Sequence, residues 1–431
     1  MVKQKWFKSL ASIFTLVAFG STAYCCQSDG NNSGRSSAVV LVEEMQEITT
    51  HDELTGDQTK QLDKVTKALR SLGQIGLNTA ANFRESEANR GAGKKKLELI
   101  DLQLDKIAAQ KSSRDSRLFW HKSLEAAKAD SEARHRPILS LRLLGNLDED
   151  LSCANSRFFR TILYSDPEIA GLLRSRFVLH WQSVREVPIV TVDFGDGRRL
   201  RQPIIGNSVH LVLGDQGRVF DALPGLVTPG KFVTWLSSVS GLHRQLRQMD
   251  PQTSEQTIQV WHRKRANRRR LESELTIRMN QPVKDLNPLD PRWTVAATAV
   301  NVTTGGRVLE LLNHQRPDAA AAMRIAPLKM AAEIPLLRMV DAIEPRIAHD
   351  SFFNLYGLQP KIDDWYTQNP GTGDYQRLTE RIYEEIFLMP LSDPWLGLSP
   401  ENGFIALDSG GRLAPGTPKL STTTSFNPAR N

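Results

Sequence analysis

The run from Pro137 to Leu144 carries apolar residues on both alternations of an extended chain, and so do Phe177 to Val184 and Val209 to Leu213. Successive strand side chains point to opposite faces, so runs of this kind belong in a sheet covered on both sides. Arg218 to Leu223 adds a further strand, joined to its predecessor by the turn Gly214-Asp215-Gln216-Gly217. Ile189 to Phe194 and Arg198 to Ile205 flank Gly195-Asp196-Gly197 and predict a β-hairpin. Helical patterns intervene over Leu118 to Ala133, Asn155 to Leu163 and Pro229 to Leu236. Another helix starts at Asp166-Pro167 and runs through Leu173, because proline suits the first helical position. The middle third of the chain therefore reads as an α/β domain over residues 116–242.

A chain of 431 residues is too long for one ordinary core, so flanking units are expected. Residues 38–115 read as a helical hairpin. Leu62, Val65, Leu69 and Leu72 recur at helical spacing, as do Leu97, Ile100, Leu104 and Ile107 after the loop Arg90-Gly91-Ala92-Gly93. Such a hairpin serves either as a packed cap or spacer or as a partner-binding coiled coil. Residues 243–408 read as mainly helical, with patterns over Ser254 to Asn280, Asp318 to Ile347 and Asp374 to Leu388. The turn-rich Ser392 to Leu398 is expected to pack Trp395 against neighbouring helices. The Pro/Thr/Ser-rich tail 409–431 is expected to be disordered.

The N-terminus has the order of a secretory signal over residues 1–23. Lys3, Lys5 and Lys8 precede the apolar run Leu10 to Phe19, and Ser21-Thr22-Ala23 offers a cleavage pattern. Cys25 and Cys26 directly behind it resemble the lipidated cysteine of a bacterial lipoprotein, although Thr22-Ala23-Tyr24 departs from the usual lipobox. Lipidation at Cys25 or Cys26, simple secretion and an uncleaved anchor stay open as alternatives. Gln27 to Ser37 is polar and rich in Gly, Ser and Asn, which predicts a flexible tether over 24–37. The expected location is the cell envelope or periplasm.

Over residues 117–242 the order strand, helix, strand, hairpin, helix resembles exported bacterial thioredoxin-like proteins. Pro137-Ile138-Leu139-Ser140-Leu141 looks like the first core strand, and Cys153-Ala154-Asn155-Ser156 stands in the place of the Cys-x-x-Cys motif. Asp166-Pro167-Glu168-Ile169 with Phe177-Val178-Leu179 resembles the helix and strand that follow. Asp215-Gln216-Gly217-Arg218 and Leu223-Pro224-Gly225 resemble the closing hairpin and its exit. Three departures stand out. Ser156 replaces the second cysteine, Gly206-Asn207-Ser208 stands where the resemblance implies a cis-proline, and the hairpin 189–205 replaces an expected helix.

With Cys25 and Cys26 at the processing site, Cys153 is the one thiol left in the folded part. A cysteine opening a helix has a favoured thiolate, which is the reactive species. With Ser156 in the second position, attack on a disulfide is possible but intramolecular resolution is not. Cys153 is thus either the nucleophile of a monothiol exchanger that needs an external thiol, a small buried cysteine in a fold reused for binding, or half of an intermolecular disulfide. His210, just beyond the Gly206-Asn207-Ser208 turn, is either a base near that thiol or a structural histidine; His180 has a weaker claim.

No metal-ligand spacing, phosphate loop or hydrolase elbow is present in the sequence, so no cofactor is expected. Arg263, Lys264, Arg265, Arg268, Arg269 and Arg270 form a basic run in a chain of net charge +7. Export disfavours nucleic acid as the partner. An anionic lipid, an envelope polymer or an acidic protein face fits better, and a solvated helix face is the simplest reading. The sequence as a whole points to a non-catalytic binding or scaffold role at the envelope, with monothiol disulfide exchange through Cys153 as the alternative.

Overall fold

The structure, a computed structural model, describes residues 25–50, 53–203, 206–214, 216–278, 351, 353–368 and 373–397. The expected signal segment 1–23, the helical pattern expected over Asp318 to Ile347 and the tail 409–431 lie outside the described residues. The chain divides into two compact units, Met1–Ile107 and Ala108–Asn431.

The first unit contains four helices, α1 (Cys25–Ile48), α2 (Gly56–Ser71), α3 (Gln74–Asn89) and α4 (Lys94–Ala108). Two sequence expectations change here. The tether is helical: α1 includes Gln27 to Ser37, continuous with a packed half in which Ala38, Val42, Met45 and Ile48 are buried at one helix face. The hairpin is also subdivided, because the chain turns between α2 and α3 at Gly73, whose φ of 63° favours glycine. A side chain on Gly76 would drive into the Leu69 carbonyl, 1.9 Å from its Cβ, so only glycine allows that approach. The start of α2 is fastened by a reciprocal cap, with Thr55 N donating to Gln58 Oε1 at 2.9 Å and Gln58 N to Thr55 Oγ1 at 3.3 Å. Across the α3–α4 turn, Arg84 clasps Asp101 through Nε and Nη2 at 2.9 and 3.0 Å.

The second unit is built on a five-stranded mixed sheet. Its strands are β1 (Trp120–His121), β2 (Ile138–Leu144), β3 (Val178–Arg185), β6 (Ser208–Leu213) and β7 (Val219–Pro224), in the order β1-β3-β2-β6-β7. β1 and β2 run parallel to β3, whereas β6 is antiparallel to both β2 and β7. Every residue of β2 is buried, as a central strand requires. β4 (Ile189–Asp193) and β5 (Arg199–Pro203) form the expected hairpin as a separate two-stranded sheet.

β1 is a correction to the sequence reading, which ran one helix through Leu118 to Ala133. Helix α5 (Leu124–Arg134) begins only after Ser123, whose Oγ accepts from Ala126 N. Trp120 is fully buried, pairs with Leu179 and donates its indole N–H to Gln110 Oε1 at 2.8 Å, so tertiary pairing overrides the local helical pattern. Beyond β2 come α6 (Ala154–Phe158), a π-helical turn over Phe159–Leu163, and α7 (Pro167–Arg176), which Asp166 caps through Glu168 N and Ile169 N. Helix α8 (Pro229–Leu246) follows β7.

The C-terminal helices do not make a separate body. α9 (Pro251–Arg278), a π-helical turn at Asn354–Leu358, α10 (Gln359–Gln368) and α11 (Tyr375–Arg381) share one continuous core with the sheet. Strand register explains how. Ser140 and Arg142 share a face with His180 and Gln182, and Tyr375 covers it, its hydroxyl 2.9 Å from Ser140 Oγ. Leu141, His210 and Leu223 lie on the other face, where His210 meets Phe232 and Trp235 of α8. Asn354 donates to the Leu226 carbonyl and Gln359 to that of Ala222, fastening the C-terminal segment at β7. Trp395, expected to pack inward, is 46% exposed, and its neighbour Leu396 is buried instead. Among the described residues, no helix is long and apolar enough to cross a membrane.

Candidate cysteine site

Cys153 follows the loop at the C-terminal end of β2 and is the N-cap residue of α6. The Ser156 backbone N–H donates to its Sγ at 3.4 Å, the contact that a helix N-terminus offers a thiolate. Ser156 itself faces backwards, its Oγ donating to the Cys153 carbonyl at 2.8 Å and lying 2.7 Å from Ser152 Oγ. Arg160, buried, ties the loop before the cysteine by donating to the carbonyls of Leu147 and Glu149 and to Ser152 Oγ. The hydroxyl in the second motif position therefore serves as a local cap, with no geometry for resolving a mixed disulfide.

The thiol has no exposed surface. Its cover comes from the turn where the resemblance implied a cis-proline. A Cβ built on Gly206 would lie 2.7 Å from Ala154 N and 3.0 Å from Cys153 Cβ, so the turn's backbone rests directly on the cysteine. That turn is in turn held from the C-terminus: Tyr383 donates to the Asn207 carbonyl at 2.9 Å, and Asn207 Nδ2 lies 3.4 Å from Met389 Sδ. Burial pushes the Tyr383 and Tyr164 phenols well above their ordinary value, and the neighbouring Cys153 sulfur acts in the same direction. Replacing Gly206 with alanine is expected to cost about 1–3 kcal/mol by overpacking against Ala154 and Cys153. A thermal melt that leaves the midpoint unchanged contradicts this close contact.

His210 lies buried among aromatic side chains. Its Nε2 lies 2.7 Å from the Tyr164 hydroxyl, and its ring packs on Phe159 at 4.7 Å and Phe232 at 5.1 Å. Burial lowers its pKa to about 3, so the imidazole is neutral. His180 is likewise held near 3, by burial first and then by Arg142 and His121; its Nδ1 sits 2.8 Å from Ser140 Oγ. Ser140, His180 and Tyr375 form a polar link between the sheet and α11.

A second buried cluster escaped the sequence reading. Arg265 donates to both Asp221 and Asp363, Arg269 reaches Asp363 at 3.3 Å, and His262 Nδ1 lies 2.8 Å from Asp363 Oδ1. Half of the basic run is thus spent inside the protein or against it, since Arg270 pairs with Asp364 at 2.9 Å. Arg263, Lys264 and Arg268 remain on the exposed face of α9. The helical spacing of His262, Arg265 and Arg269 was the available signal for an inward stripe. Among the described residues, no group of three or more His, Cys, Asp or Glu is placed to hold a metal ion. Comparison with protein families, curated proteins and solved structures yields no match for this chain.

Proposed function

We propose that the chain is an exported, envelope-tethered binding or scaffold protein whose second unit is a thioredoxin-like framework without dithiol chemistry. The sheet order β1-β3-β2-β6-β7, with a cysteine capping the helix after β2, supports the framework. The complete burial of Cys153 beneath Gly206 supports the non-catalytic role, because a disulfide must reach a thiolate sulfur in line before exchange occurs. Tyr375 of α11 covers the face of β2 and β3 that carries Ser140 and His180.

Alkylation decides the role of the thiol. In the non-catalytic reading, Cys153 of the native protein resists iodoacetamide at pH 7 and reacts at the rate of an ordinary thiol only in denaturant, with mass spectrometry reporting the modified peptide. Rapid native alkylation with trapped mixed disulfides overturns it. Monothiol exchange through Cys153 is kept as the second reading on one observation, the Ser156 N–H directed at Sγ. It requires the turn at Gly206 to lift away.

A further inference from the structure

Ten large hydrophobic side chains are exposed among the described residues, and five of them, Ile189, Val190, Val192, Phe194 and Leu200, lie on the β4–β5 hairpin. Register shows that they are not scattered. Val190 pairs with Gln202 and Val192 with Leu200, and Phe194 N donates to the Arg198 carbonyl at 3.1 Å, which places Phe194 and Arg198 opposite each other. Side chains of paired residues share a face, so Val190, Val192, Phe194 and Leu200 form one apolar surface, with the Arg198 guanidinium 5.7 Å from the Phe194 ring. Thr191 pairs with Arg201 and Asp193 with Arg199 on the reverse side. The hairpin is an amphipathic ribbon whose apolar side faces solvent, with Phe194 57% exposed next to the turn. Two-stranded ribbons are marginal in water, and uncovered apolar faces mark binding surfaces.

We infer that this ribbon docks on an anionic phospholipid surface, its apolar side entering the headgroup boundary. Charge and size both favour that occupant. Arg198, opposite Phe194, lies on the apolar side itself, and the hairpin's three arginines outnumber its two aspartates, in a chain of net charge +7. A stable protein interface takes about 20–30 residues a side, more than this ribbon presents. Shallow insertion into a bilayer needs only a few apolar side chains with arginines beside them to meet the phosphates. The inference stands on the hairpin alone, and the role assigned to Cys153 does not enter it.

The test reads the ribbon locally. Full-length protein carrying Cys25→Ser and Cys26→Ser receives an environment-sensitive fluorophore through Val192→Cys on the apolar side or Thr191→Cys on the reverse; Cys153 stays buried. On adding phosphatidylglycerol vesicles, the label at 192 is expected to brighten several-fold and shift blue, and the label at 191 to change little. Phosphatidylcholine vesicles should produce neither change. Arg198→Gln should weaken binding to the anionic vesicles about five-fold, the value of one basic residue near such a surface. The inference is overturned by an unresponsive label at 192, by an equal response to neutral vesicles, or by a response that follows protein concentration without lipid, which would make a second copy the occupant.

Discussion

Replacing Asp363 with alanine will lower the stability of the protein by about 3–5 kcal/mol, the usual consequence of stranding buried charges. The carboxylate is fully buried and accepts from Arg265 and Arg269, with His262 Nδ1 2.8 Å away. His262 stacks on Tyr366 at 4.0 Å and contacts the Phe220 carbonyl at 2.9 Å, so the cluster joins α9 and α10 to β7. Without Asp363, Arg265 retains Asp221, but Arg269 loses its buried acceptor. A denaturant melt with an unchanged midpoint would show that the cluster contributes nothing. Asp363→Asn, which keeps an acceptor oxygen, is expected to fall between the two.

The same residue sets an acid limit. Burial raises the Asp363 pKa, but Arg265, His262 and Arg269 outweigh it and hold the carboxyl at about 2, below its ordinary 3.8. Because the folded value lies below the unfolded one, the stabilisation is present above about pH 4 and disappears as pH falls toward 2, and it is worth about 2 kcal/mol. The stability of the wild type should therefore drop more steeply than that of Asp363→Ala through this window. Parallel slopes in the two pH titrations contradict the assignment.

Leu141→Asp will abolish the cooperative unfolding transition of the second unit. Leu141 has no exposed surface and sits opposite both Trp181 and His210, at the centre of the central strand. Truncation to alanine alone is expected to cost about 2–5 kcal/mol through the cavity it leaves. Aspartate adds an unpaired carboxylate between a tryptophan and a neutral histidine, which exceeds the whole margin of a typical domain. A folded Asp variant with a sharp melt would displace β2 from the sheet centre.

The strands β2, β3, β6 and β7 were legible because each carries its own apolar alternation. Asp166-Pro167 marked the start of α7 for an equally local reason, since the cap and the missing N–H act within one turn. β1 was not legible. Two residues are too few for a period, and Trp120 becomes a strand residue only because β3 offers it a partner. The helical form of the expected tether has the same origin, since the polar half of α1 continues a half whose burial depends on other helices.

For the candidate site, the amino-acid sequence alone determined the chemistry at hand: one thiol at a helix start, a serine in place of its partner, and no proline in the facing turn. It also determined the ribbon, whose alternating Val190, Val192 and Phe194 need no distant residue to be recognised. Only the tertiary structure decided that Cys153 is sealed, because the cover comes from Gly206 and from Tyr383, far along the chain. Likewise, only folding turned Arg265 and Arg269 from members of a basic run into partners of Asp363. Local periodicity tells which side of an element is apolar or charged, whereas accessibility is a sum over every segment packed against it, and that sum exists only when the chain is closed on itself.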